Sequence, residues 1–189
     1  MAFSTTDRDR LAALLREHSV KTGEFRLASG KTSSIYVNVK SSSLLGEGAD
    51  LMGRGLWELA CTAAPGFDAV GGLTLGADPL VTAIAIAGHQ QGSRAASIIV
   101  RKTPKEHGTM QYLEMPAGLN PGDCVVAVDD VITSGGSTIT AIERLREAGF
   151  VVNHAVCVVD RLSSGEASLE AIGVALHSLY RLDEFVDIS

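Results

Sequence analysis

Four short apolar runs, 68–72, 95–101, 124–129 and 151–159, constrain this chain more than any other feature. Each has strand length, and stretches of helical period separate them. Strands spaced by helices build a parallel sheet covered on both faces. In such a sheet ligands bind outside the carboxyl ends of the strands. The expected fold is therefore α/β, a parallel sheet flanked by helices.

The remaining stretches fit around that sheet. "DRDRLAALLREHS" reads as a helix with Leu11, Leu14 and Leu15 on one face and Thr6 as its N-cap. "EFRLASGKTSSIYVNVK" reads as two short strands about a Ser29-Gly30 turn. Helices are expected over 47–62, where Gly53 and Gly55 leave room for close packing, over 80–90, and over 138–148 up to Gly149. "SLEAIG" and "ALHSLY" add a last helix and strand, and the polar segment 103–120 shows no apolar period. With 189 residues, 46% of them apolar, a single domain with a real core is expected. Its N-terminal helix and hairpin, about 1–45, form a small hood on a core of about 46–189.

Several function classes fall away. The N-terminus lacks the basic-then-apolar pattern of a secretory signal, and no apolar stretch approaches the ~20 residues of a membrane span. Cys61, Cys124 and Cys157 lie far apart in apolar segments, the pattern of buried, reduced thiols in the cytoplasm. A net charge of −6 disfavours nucleic-acid binding, which needs clustered positive charge.

The chemistry concentrates in "VVAVDDVITSGGSTITAIERL", residues 125–145. Asp129 and Asp130 emerge where the apolar run ends. Thr133, Ser134, Gly135, Gly136, Ser137 and Thr138 lack bulk, so their backbone N–H groups can turn inward around an anion. A helix starts directly behind them, and its unpaired N–H groups also favour negative charge. A phosphate monoester suits the turn, whereas the aspartates would repel it and suit neutral hydroxyls beside a divalent cation. Phosphate on one side and a diol on the other describe a ribose 5-phosphate. Neither GxxxxGK[ST] nor, at this position, GxGxxG is present. A second cluster follows the strand 95–101: Arg101, Lys102, Lys105 and His107 place three fixed charges and one titratable ring within seven residues. Such a loop can close over a polyanion and exclude water.

"VVAVDDVITSGGST" resembles the phosphoribosyl-pyrophosphate (PRPP) signature of the type I phosphoribosyltransferases. "VRKTPKEHGTMQYLE" is similar to the mobile catalytic loop of the orotate phosphoribosyltransferases, "FRLASGKTSSIYVNVK" to their N-terminal hairpin, "VVDR" to their orotate-binding arginine segment, and "VGGLTLGADP" to the pyrophosphate-side loop of the shorter members. These motifs, in family order, span residues 25–161.

The resemblance implies transfer of the 5-phosphoribosyl group from PRPP to a ring nitrogen of orotate, giving orotidine 5′-monophosphate and pyrophosphate. It implies Mg2+ held mainly by PRPP and water, and a homodimer whose mobile loop serves the neighbour's site. Lys102, Lys105, His107, Asp129 and Asp130 take the catalytic roles. PRPP falls to Arg101, Lys102, Lys105, His107 and the run Asp129, Asp130, Val131, Ile132, Thr133, Ser134, Gly135, Gly136 and Ser137. Orotate falls to Thr133, Arg161 and Tyr36. Two departures bear on affinity: Ala28 stands where many members carry Lys, and the loop 73–79 has no basic residue. A purine or uracil phosphoribosyltransferase shares the PRPP signature but does not need "RKTPKEHG" and Arg161. A PRPP-sensing regulator needs a basic face that the charge of −6 argues against.

Overall fold

The computed structural model describes residues 2–26, 32–104 and 112–186. Its first helix, α1 (Thr5–Leu14), is capped by Ser4 and not by Thr6. The Ser4 hydroxyl accepts the Asp7 N–H at 3.2 Å while Asp7 accepts the Ser4 N–H at 2.9 Å, a reciprocal box that fixes the start one turn before the apolar pattern begins. A wider turn over Leu15–Ser19 leads into β1 (Val20–Arg26), which pairs antiparallel with β2 (Thr32–Val37), as the sequence predicts. The Ser29-Gly30 turn, like Ala28, lies outside the described residues. A one-turn helix, α2 (Lys40–Ser43), closes the N-terminal segment and packs below α3 (Gly46–Ala63).

From there strands and helices alternate: β3 (Ala69–Leu73), α4 (Asp78–Gln90), β4 (Ala96–Val100), β5 (Leu113–Glu114), β6 (Val125–Ile132), α5 (Gly136–Glu147), β7 (His154–Asp160), α6 (Gly165–Glu170) and β8 (Ala175–Arg181). Six of these strands form one sheet in the order β5-β4-β3-β6-β7-β8, parallel except for β5. The antiparallel β5 corrects the reading of 103–120 as wholly irregular. Two residues show no period, but pairing of Ile99 with Glu114 and Val100 with Leu113 brings the chain back to the sheet edge. Regular pairing of β7 starts at His154, and Val151 makes only an isolated bridge to Cys124. The carboxyl ends of β3, β4, β6 and β7 share one edge. Among the described residues no helix is long and apolar enough to cross a membrane, and the three cysteines are free thiols.

Strand residues alternate between two cores. Val126, Val128, Val156 and Val158 face Leu11, Leu56, Leu80 and Ile84, on the side of α1, α3 and α4. Val125, Ala127, Ala155 and Cys157 face Ile142, Leu145 and Leu169, on the side of α5 and α6. On the first side the helices approach closely because glycines remove side chains at the crossing. A Cβ at Gly53 would lie 2.7 Å from the Ala83 carbonyl oxygen, and one at Gly88 2.6 Å from the Trp57 ring. The sequence expectation for Gly53 and Gly55 holds, since Gly55 likewise abuts Phe3 and Leu179. Arg54 fastens α1 to α3 through both carboxylate oxygens of Asp7, each at 2.9 Å.

The α3–α4 contact gives a stability prediction. Gly53→Ala must push backbone apart and should cost roughly 1–3 kcal/mol. Gly46→Ala meets nothing within 4 Å and should be neutral or mildly stabilising, by up to about 1 kcal/mol. Urea unfolding of the two variants should show opposite or clearly unequal shifts in midpoint.

Candidate active site

Strand β6 does not stop at residue 129, its expected end, but continues in register with β7 to Ile132, Asp129 opposite Cys157 and Val131 opposite Val159. Two carboxylates are tolerated there because the alternation of a strand sends them to opposite faces, each to its own partners. Asp129, on the α5 side, is 5% exposed. Its Oδ2 accepts the hydroxyls of Ser137 and Thr138, both at 2.7 Å, and Oδ1 accepts the Asp130 N–H at 3.0 Å. Asp130, on the other side, accepts from Lys40 Nζ at 2.9 Å through Oδ2 and from the Val131 N–H through Oδ1. The two acids therefore do different work: Asp129 ties down the turn that follows, and Asp130 lies between Lys40 of the N-terminal segment and the loop after β3. That loop comes close, since a Cβ on Gly76 would lie 2.7 Å from Asp130 Oδ1.

The turn itself is arranged as an anion site requires. Thr133, Ser134, Gly136 and Ser137 are exposed, and Gly135 adopts φ +81°, a left-handed conformation that a side chain would strain. Helix α5 then starts at Gly136, two residues before the expected Thr138, so its first N–H groups open onto the turn. Thr138 is buried and spends its hydroxyl on Asp129, as Ser137 does, so what these two offer an anion is backbone N–H. Behind the turn stands the start of α6: a Cβ on Gly165 would lie 2.9 Å from the Thr133 carbonyl oxygen. Val131 and Ile132 belong to the strand. The Ile132 side chain is core, and its carbonyl accepts the Arg161 N–H at 2.9 Å.

Arg161 is brought beside this turn at the end of β7. Asp160 accepts the Leu162 N–H at 2.9 Å, and Leu162 takes φ +54°, a sharp reversal that lifts Arg161 off the sheet. The Arg161 guanidinium reaches β2, donating to the Ile35 carbonyl at 3.4 Å. The next residue, Tyr36, is 41% exposed with its ring 5.5 Å from that of Phe25. Thr133, Arg161 and the strand bearing Tyr36 are thus neighbours, as the sequence reading requires.

Of the basic loop, Arg101, Lys102, Thr103 and Pro104 are described, while Lys105 and His107 lie outside the described residues. The Arg101 guanidinium pairs with Glu114 at 3.1 Å, and its N–H donates to the Tyr112 carbonyl at 2.7 Å, closing the loop's base across β4 and β5. Arg144 of α5, which sequence reasoning passed over, fastens that base. Its guanidinium donates to the carbonyls of Arg101 and Lys102 and lies 4.0 Å over the Tyr112 ring. Lys40 was missed likewise. Both act across sequence separations that leave no local signal.

The donor set suits a hard cation only as a partial shell. Asp130 offers carboxylate oxygen, and Asp78 Oδ1 at the start of α4 is buried without a hydrogen-bond partner among the described residues. Among those residues no three His, Cys, Asp or Glu side chains stand together to hold a metal. Oxygen donors in this number fit Mg2+ shared with a polyanionic ligand.

A sheet of this order, flanked by helices and followed at its central strand by a turn of small residues, places the molecule in the type I phosphoribosyltransferase class. The orotate phosphoribosyltransferase of Thermosynechococcus vestitus is 44% identical over 177 residues, covering 94% of this chain and 92% of the relative. The chain belongs to the orotate phosphoribosyltransferase family. Among solved structures, the Mycobacterium tuberculosis H37Rv orotate phosphoribosyltransferase in complex with Fe(III) dicitrate superposes with a TM-score of 0.82 at 35% identity, covering 95% of this chain and 98% of that one. The same enzyme in complex with PRPP gives 0.77 at 32% identity, with the same coverage. No family model matches the chain.

Burial raises the Asp129 carboxyl from 3.8 to about 6, against the hydroxyls of Thr138 and Ser137, which pull it down. The folded state then holds this proton more tightly than the unfolded chain does. The group's contribution to stability is fully present below about pH 3.8 and is lost as pH rises through about 6. The stability of wild type relative to Asp129→Asn should therefore fall between pH 4 and 6.5, with a slope of up to ~1.4 kcal/mol per pH unit. Urea unfolding of both proteins across that range measures it, and a difference independent of pH would refute the assignment.

Proposed function

We propose that the chain transfers the 5-phosphoribosyl group from PRPP to orotate, releasing orotidine 5′-monophosphate and pyrophosphate. The observation that carries this reading is the convergence, at one sheet edge, of the turn 133–137, Asp130 and Arg161. Family membership and the relative solved with PRPP support it.

In this reading the N–H groups of the turn and of the first turn of α5 hold the 5′-phosphate. Asp130 accepts hydrogen bonds from the ribose hydroxyls and stabilises positive charge near C1 as the bond to pyrophosphate lengthens. Asp129 acts one step back, keeping Ser137 and Thr138 in place. Arg161 pairs with the orotate carboxylate through its planar fork, beside Thr133 and Tyr36. Orotate is acidic, so its attacking nitrogen needs no strong base, and departure of pyrophosphate is the demanding event. Charge from Arg101, Lys102 and Lys105 meets that leaving group, and His107 donates a proton to it. Mg2+, held mainly by PRPP and water, neutralises diphosphate charge. We place the protein in the cytoplasm, in keeping with three reduced cysteines, as a single-domain chain and a homodimer in which the loop 101–111 serves the partner's site.

The direct test is orotate consumption, followed by absorbance with PRPP and Mg2+, beside adenine, guanine, hypoxanthine and uracil. Orotate alone should be consumed, and faster turnover of another base would overturn the reading. Arg161→Ala should raise the KM for orotate about 30-fold or more, the loss of roughly 2–5 kcal/mol from a desolvated charged pair, with little change in the KM for PRPP. The shared site has its own test. Asp130→Asn and Lys105→Ala proteins, mixed equally, unfolded and refolded together, should form about half heterodimers, each with one intact site, and recover roughly a quarter of wild-type activity. Activity remaining at the parental level, with heterodimers confirmed by mass, would contradict it.

A further inference from the structure

Asp130 stands beside a loop, 73–79, that carries no positive charge. Asp78 at the start of α4 adds an acid, whose Oδ2 takes the Thr74 hydroxyl at 2.6 Å. A diphosphate brought to Asp130 finds no cation on that loop to offset the carboxylate. Lys40 reaches this place from the N-terminal segment. Its Nζ lies 2.9 Å from Asp130 Oδ2, with the lysine side chain 42% exposed and the aspartate 12%.

The lysine is also held at its root. Val39 before it is fully buried, as is Ser42 two residues on. The Ser42 hydroxyl lies 2.6 Å from that of Ser19 and donates to the Leu14 carbonyl at 3.3 Å. Helix α3 presses on the same turn, since a Cβ at Gly48 would lie 2.1 Å from the Ser42 carbonyl oxygen. A fixed backbone carrying a flexible, half-exposed ammonium suits a charge that changes partners. Paired to Asp130, the ammonium occupies Oδ2, the oxygen that the Val131 N–H leaves open.

We propose that Lys40 is a PRPP-binding residue that exchanges partners. It neutralises Asp130 before ligand binds, then yields that carboxylate to the ribose hydroxyls and pairs with the diphosphate. This assignment rests on the PRPP reading given above and supplies the cation missing from the loop 73–79. Lys40 thereby separates two parts of one ligand: the diphosphate needs it, whereas the ribose phosphate competes with it for Asp130.

Calorimetric titration with PRPP, pyrophosphate and ribose 5-phosphate, each with Mg2+, tests this in wild type, Lys40→Met and Lys40→Arg. Lys40→Met should weaken PRPP and pyrophosphate by about tenfold or more. It should leave ribose 5-phosphate unchanged or bound more tightly, and Lys40→Arg should recover most of the loss. In steady-state assays the KM for PRPP should rise in Lys40→Met while the KM for orotate stays level. Undiminished PRPP binding by Lys40→Met would overturn the proposal and leave the functional reading standing. Equal weakening of PRPP and ribose 5-phosphate would also overturn it, reducing Lys40 to a support for Asp130. Wild-type protein that binds none of the three ligands would overturn the functional reading itself, and this assignment with it.

Discussion

Everything at the functional edge follows from two adjacent carboxylates on a strand pointing to opposite sides. The backbone of β6 alternates, so Asp129 must enter the space above α5 and Asp130 the space beneath the N-terminal segment. Either acid alone would be costly so near a core. Asp129 is tolerated because two hydroxyls and one N–H meet it, and those hydroxyls belong to the start of α5, directly after the turn proposed to hold the phosphate. Asp130 is tolerated because an ammonium meets it, and that ammonium comes from a distant part of the chain. The solvation of each buried charge thus organises one half of the site.

The surrounding elements hold that arrangement from both flanks. Gly165 lets α6 back the anion turn at contact distance, and Ile132 anchors the Arg161 backbone. On the other flank Arg144 grips the base of the basic loop through two carbonyls and the Tyr112 ring. Arg144 and the turn 133–137 are thus joined by one helix, α5, and the pair of Arg101 with Glu114 completes the base of the loop.

Much of this was legible in the residues, for identifiable reasons. Strands such as 68–72 and helices such as 80–90 declare themselves by period and length. The small-residue turn after β6 declares itself by its lack of bulk. The end of β6 lies three residues past the expected Asp129, because backbone pairing with β7 continues wherever carboxylates find donors. The different fates of Asp129 and Asp130 were implicit in the period of two, once the strand was allowed to run through them. Lys40 and Arg144 were invisible because their partners lie 90 and 42–43 residues away. The short β5 exists only through its pairing with β4. Ser4 rather than Thr6 caps α1: Ser4 and Asp7 answer each other in a reciprocal box, and Thr6 already lies inside the helix.

A crystal structure with orotidine 5′-monophosphate bound tests the central claim most directly. The account predicts the 5′-phosphate on the N–H groups of the turn 133–137 and the start of α5, the ribose hydroxyls on Asp130, and the base carboxylate on Arg161. It also predicts Asp129 unchanged, still accepting from Ser137 and Thr138. A phosphate bound away from that turn, or Asp129 rotated out to hold the ribose in place of Asp130, would contradict it.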